Sequence, residues 1–127
     1  MNIPRFTSII GNERVKMKLF AQSEFHLSTQ SLAGNFAVKE AFIKAFAGTL
    51  PIFDFWELEV LRDSNGAPML KSENSEVKVF ISRVVSLSIS HEIDYCVGVV
   101  LVNNLSKPVN VEIVARNMTE EVIDLIP

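Results

Sequence analysis

The stretch Leu32-Ala33-Gly34-Asn35-Phe36-Ala37-Val38-Lys39-Glu40-Ala41-Phe42-Ile43-Lys44-Ala45-Phe46 decides how the rest of the chain is read. It is made mostly of strong helix formers, contains no proline, and is followed by Gly48 as a C-terminal stop. One helix from Leu32 to Phe46 is the expectation. Apolar residues occupy nearly all of its circumference, and a helix of that kind is normally buried. Yet Lys39, Glu40 and Lys44 lie on it, and a buried charge is costly without a partner. Whatever surrounds the helix must answer for them.

Working upstream, Asn12 is placed to cap a helix through Glu13 and Phe20, with apolar residues three and four apart. The other face of that segment is basic: Arg14, Lys16 and Lys18 lie there, with Arg5 nearby. Downstream, the alternation in Phe55 to Leu61 predicts a half-buried strand, Asp63-Ser64-Asn65-Gly66 a turn, and Pro68 to Leu70 a short partner strand. Between Glu73 and Ser82, Val77, Phe80 and Ile81 recur at helical spacing and predict a short amphipathic helix. Two apolar runs, Val84 to Ile89 and Tyr95 to Val102, flank Ser90-His91-Glu92-Ile93-Asp94 and read as a hairpin with a polar connection. The tail adds a strand from Val109 to Val114 and a short helix after Asn117 or Thr119. The sum is an α+β fold, a buried helix packed on a mainly antiparallel sheet.

With 127 residues, 48% hydrophobic and 21% charged, the chain is expected to form one globular domain with a sizeable core. Its net charge of −3 offers no bulk attraction to nucleic acid or to an anionic membrane, so neither is an expected partner. Electrostatic recognition has to be local. Cys96 is the single cysteine, which rules out an intrachain disulfide and a cysteine-based zinc site and fits a cytoplasmic setting. No signal-peptide pattern opens the chain, and no apolar run reaches bilayer-spanning length.

Two groups of residues can carry chemistry. Glu40 and Lys44 stand four apart with the acid first, the favourable order for a helical ion pair. The same two groups suit a divalent metal and a phosphate respectively. Spacing does not decide between these readings. His91 ends a strand on which Ser86, Ser88 and Ser90 share one face, a polar stripe that suits an anionic ligand, although a lone histidine is commonly structural. There is no nucleophile elbow, Walker loop or zinc-type His/Cys spacing, which disfavours hydrolase and nucleotide triphosphatase chemistry.

The helix Leu32 to Phe46 resembles the signature helix of bacterial acyl-carrier-protein synthases, written R-F-A-x-K-E-A-x-x-K-A. Glu57-Leu58-Glu59-Val60 with Asp63-Ser64-Asn65-Gly66-Ala67-Pro68 is similar to that family's strand and D-x-x-G-x-P turn. Ser86-Leu87-Ser88-Ile89-Ser90-His91 is similar to its S-x-S-H segment. The resemblance covers roughly residues 32 to 102, in matching order. It implies a 4′-phosphopantetheinyl transferase fold and transfer of the phosphopantetheine arm of coenzyme A to a carrier-protein serine.

By motif position the resemblance makes Glu40 a magnesium ligand and catalytic residue, and Lys44 a catalytic residue near the coenzyme A phosphates. It places His91, with Ser90, at the nucleotide end of coenzyme A and gives Lys39 a supporting charge near the phosphates. It further implies an acidic acyl carrier protein as partner, met by the basic residues Arg5, Arg14 and Lys18, and a homotrimer. Departures from the pattern are Asn35 in place of arginine, no G-T-G run after the helix, and no opening strand G-x-G-x-D-x-V with its second metal-ligand aspartate. Residues 103–127 are extra by the same comparison. Their strand is expected to take the vacant place and bring Glu112 towards the metal. The rival expectation is a non-catalytic relative that binds carrier protein or coenzyme A.

Overall fold

The computed structural model describes residues 1–103 in full and the backbone of residues 111–117. Its centre is helix α3, Thr29–Ala45, and every residue from Leu32 to Phe42 is buried. The helix starts three residues earlier than expected because Ser28 caps it, its hydroxyl accepting from Ser31 N–H at 3.2 Å. Thr29, Gln30 and Ser31 then form a more exposed first turn that carries no apolar signal. At the other end Gly48 adopts φ 83°, a left-handed conformation that ends the helix without a Cβ clash.

Helices α1, Ile3–Ile10, and α2, Glu13–Leu19, cover one side of α3. Asn2 and Asn12 cap them through their side-chain oxygens, and the cap at Asn12 is the one its sequence predicts. Phe6 joins them to α3, with its ring 5.8 Å from Phe36 and 6.1 Å from Phe20. Burying each such ring contributes about 2–3 kcal/mol, so this aromatic stack is a main fastening of the N-terminal half.

Phe55-Trp56-Glu57 is a 3-10 turn, not the beginning of a strand. Glu57 reaches back to accept from Asp54 N–H at 2.7 Å, which closes the turn and brings Phe55 against Phe36. The strand starts later, as β1, Glu59–Arg62, paired antiparallel with β2, Pro68–Lys71. Asp63 Oδ1 accepts from Asn65 and Ala67 N–H, and Gly66 takes φ 83°, so the turn between them is the one its residues predict. The short amphipathic helix is α4, Ser75–Ile81, capped by Asn74.

Strands β3, Val84–His91, and β4, Cys96–Asn103, form the expected hairpin. Along β4 the residues Cys96, Gly98, Val100 and Val102 are buried and alternate with half-buried Val97, Val99 and Leu101. The buried column packs on α3. At Gly98 the approach is closest: a Cβ there would lie 2.7 Å from Ala37 C and Val38 N.

The other edge of β4 is taken by β5, Val111–Asn117, antiparallel and also against α3. The tail strand therefore lies slightly later than the expected Val109 to Val114. Its register sets Arg116 opposite Gly98 and Glu112 opposite Val102. Four strand residues span about 13 Å, so at the level where β4 meets Ala37 and Val38 the facing position on β5 is Arg116, not Glu112. The helix expected after Asn117 or Thr119 lies outside the described residues.

Candidate functional site

α3 carries Asn35, Lys39, Glu40 and Lys44, and the β3–β4 hairpin carries Ser90 and His91 beside its first half. Glu40 is buried, 3% exposed, and Lys44 in the last turn is exposed. Among the described residues, α3 makes a close ion pair through Lys39, to Glu24 at 2.7 Å.

Lys39 corrects an expectation. Its ammonium donates to Glu24 Oε1 at 2.7 Å, Leu19 O at 2.8 Å and Phe55 O at 3.2 Å, and sits 4.8 Å from the centre of the Phe20 ring. All three protons are used inward, so it is placed in the core instead of at a phosphate surface. Burial pulls its pKa below the ordinary lysine value, and the attraction of Glu24 opposes that shift without cancelling it. Glu24 is the hub: Oε1 also accepts from Ala21 N–H, and Oε2 accepts from Asn35 Nδ2 at 2.9 Å. Lys39 thereby ties the end of α2, the Gln22–Glu24 turn and the Phe55 turn to α3. The sequence carries no sign of this, because the partners lie 15 to 20 residues away.

His91 ends β3, and its Nε2 lies 3.2 Å from Gln30 O in the first turn of α3. The ring rests over Gly34. Ser90, His91, Glu92, Tyr95 and Val97 line a cavity of about 480 Å³ open to solvent. The hairpin connection expected to be functional is thus a binding-sized concavity.

A second cavity, about 320 Å³, was not legible beforehand. Ser23, His26, Ser31, Asn35 and Arg62 supply its polar lining, from three separate segments. Asn35 is 1% exposed, and its Oδ1 has no hydrogen-bond partner among the described residues. A buried acceptor left in that state favours a ligand or water that donates to it.

Arg5, Arg14 and Lys18 are exposed on α1 and α2, whereas Lys16 is tied to Phe25 O at 3.1 Å. Among the described residues, no three His, Cys, Asp or Glu side chains gather into a metal-holding cluster.

Models of known protein families give no match to the chain. Individual relatives do. The holo-acyl-carrier-protein synthase of Campylobacter fetus subsp. fetus is 36% identical over 109 residues, covering 82% of this chain and 95% of the relative. The chain belongs to the holo-acyl-carrier-protein synthase family. The synthase of Halalkalibacterium halodurans agrees, at 34% identity over 104 residues and 81% of both chains. The crystal structure of the Helicobacter pylori synthase in complex with coenzyme A overlays this fold with a TM-score of 0.65 at 26% identity, covering 81% of this chain and 95% of that one. The α+β phosphopantetheinyl transferase fold is accordingly the fold of this synthase chain, as its signature helix and hairpin implied.

Proposed function

We propose that the chain transfers the 4′-phosphopantetheine arm of coenzyme A to a serine of an acyl carrier protein. In that reaction the serine oxygen forms a bond to the β-phosphorus of coenzyme A. The bond from that phosphorus to the bridging oxygen breaks, the serine proton is lost to a base, and adenosine 3′,5′-bisphosphate leaves. Family membership supports the reaction. The observation that carries it at the level of residues is His91, lining an open cavity and seated on α3, the same helix that bears Glu40 and Lys44.

On this reading Ser90 and His91 take the nucleotide end of coenzyme A, and exposed Lys44 contributes charge to its phosphates. Asn35, with its unpartnered Oδ1, offers an acceptor beside Arg62 where the family has arginine. Glu40 would hold magnesium. That ion typically takes one or two carboxylates together with waters and substrate phosphate oxygens, so a single buried carboxylate suits it. When bound, magnesium supplies charge neutralisation at the pyrophosphate. The acidic carrier protein meets Arg5, Arg14 and Lys18, the local positive face of a chain whose net charge is −3.

A homotrimer and a cytoplasmic setting complete the proposal. The sheet face away from α3 supports the first: Val97, Val99 and Leu101 alternate there with the buried column and pair with Ser90, Ser88 and Ser86. The free thiol of Cys96 fits the second.

The test is the mass of apo carrier protein after incubation with the chain, coenzyme A and magnesium. A gain of one phosphopantetheine group is expected, and Glu40→Gln should slow the gain at least about 100-fold. Coenzyme A bound with no mass gain would overturn the enzyme in favour of a binding module.

A further inference from the structure

Gly34 sits in the interior of α3, where glycine is less favourable than alanine. Its backbone does not require glycine, since the positive-φ glycines are Gly48 and Gly66. A reason must come from packing. A Cβ built on Gly34 would lie 2.8 Å from His91 Nε2, 3.2 Å from His91 Cε1 and 2.8 Å from Ile89 Cγ2. We propose that Gly34 is a positioning residue for His91, its absent side chain being the seat on which the imidazole rests.

The seat fixes more than the ring plane. Gln30 O, one turn earlier on α3, is 3.2 Å from Nε2, and a carbonyl oxygen only accepts. Nε2 therefore carries the proton, and Nδ1 is the acceptor of the neutral ring and a second donor of the protonated one. One turn of helix thus selects position and tautomer together, through Gly34 and Gln30. Gly98 makes a useful contrast, because a Cβ there would strike the backbone of Ala37 and Val38. At Gly34 the obstructing atoms belong to side chains, and His91 is exposed and can move away. Gly34→Ala should then unseat the histidine without unfolding the helix.

The functional consequence rests on the reading of His91 as a coenzyme A contact. The experiment therefore has an arm that needs no ligand. Long-range ¹H–¹⁵N spectra of the full chain are expected to show the Nε2–H tautomer for His91, lost in Gly34→Ala while far-UV circular dichroism is retained. Calorimetry should give a coenzyme A Kd raised about tenfold in Gly34→Ala, the scale of one hydrogen bond to a charged group. His91→Ala should raise Kd similarly, and the double variant should be no weaker than His91→Ala alone. Unchanged His91 resonances in Gly34→Ala, or losses that multiply in the double variant, would overturn the seat. If His91→Ala leaves Kd unchanged, the coenzyme A role of His91 fails while the spectra still judge the seat. Should Gly34→Ala not fold, Gly34→Ala/Ile89→Ala removes the second contact and is read in the same spectra.

Discussion

At the scale of single residues, Lys39 shows how a motif position and a structural position diverge. Its charge is balanced by Glu24, and breaking a buried pair from one side leaves the other charge uncompensated. Lys39→Met is expected to cost about 3–5 kcal/mol in urea unfolding, and Lys39→Met/Glu24→Gln less than the sum of the single losses. The pH dependence has a definite sign. Because the folded-state pKa lies below the ordinary value of 10.5, the folded chain loses this proton before the unfolded chain does. Between those two pKa values the unfolded state binds more protons, so this residue makes stability rise with pH up to about 10.5. The urea midpoint of the wild type should accordingly gain on that of Lys39→Met as pH is raised towards that value. A constant difference would contradict the lowered pKa.

At the scale of elements, the contact between α3 and β4 is governed by Gly98. Any side chain there meets main-chain atoms of Ala37 and Val38, which cannot rotate out of the way. Gly98→Ala is expected to destabilise by about 3 kcal/mol, at the upper end for overpacking, seen as a lower urea midpoint with unchanged slope. A neutral Gly98→Ala would mean that helix and sheet can separate freely. The elements were legible to different degrees for physical reasons. α3 was legible because fifteen residues of consistent propensity end at a glycine, and β4 because Tyr95 to Val102 is an apolar run of strand length next to a polar connection. Phe55 to Glu57 was misread because alternation over three residues is equally produced by a capped 3-10 turn. The Glu24 hub and the Asn35 cavity were invisible, since an all-round apolar helix does not announce which charged residue turns inward or which distant segment receives it. His91 was picked out by the serine stripe, but its seat on Gly34 needed the fold.

At the scale of the whole molecule, one sheet does two kinds of work. The face carrying Gly98, Val100 and Val102 is filled by α3. The opposite face presents Val97, Val99 and Leu101 beside Ser86, Ser88 and Ser90, with nothing of the described chain built to bury it as deeply. A partly exposed apolar row of this kind is compatible with the interface between copies proposed above. Because Ser90 and Val97 of this face also line the cavity beside His91, covering it brings a neighbouring copy to the edge of the candidate coenzyme A site. Assembly and activity should therefore fall together. Val99→Glu sits at the middle of that face, opposite Ser88, and its carboxylate remains hydrated in a lone chain but is buried unpaired in an assembly. Sedimentation equilibrium is expected to show a trimer for the wild type and a monomer for Val99→Glu, with the thermal midpoint of the monomer concentration-independent. Carrier-protein modification should drop in parallel and recover in part at high protein concentration. A Val99→Glu chain that stays trimeric, or a monomer with undiminished turnover, would separate the site from the interface and refute the coupling.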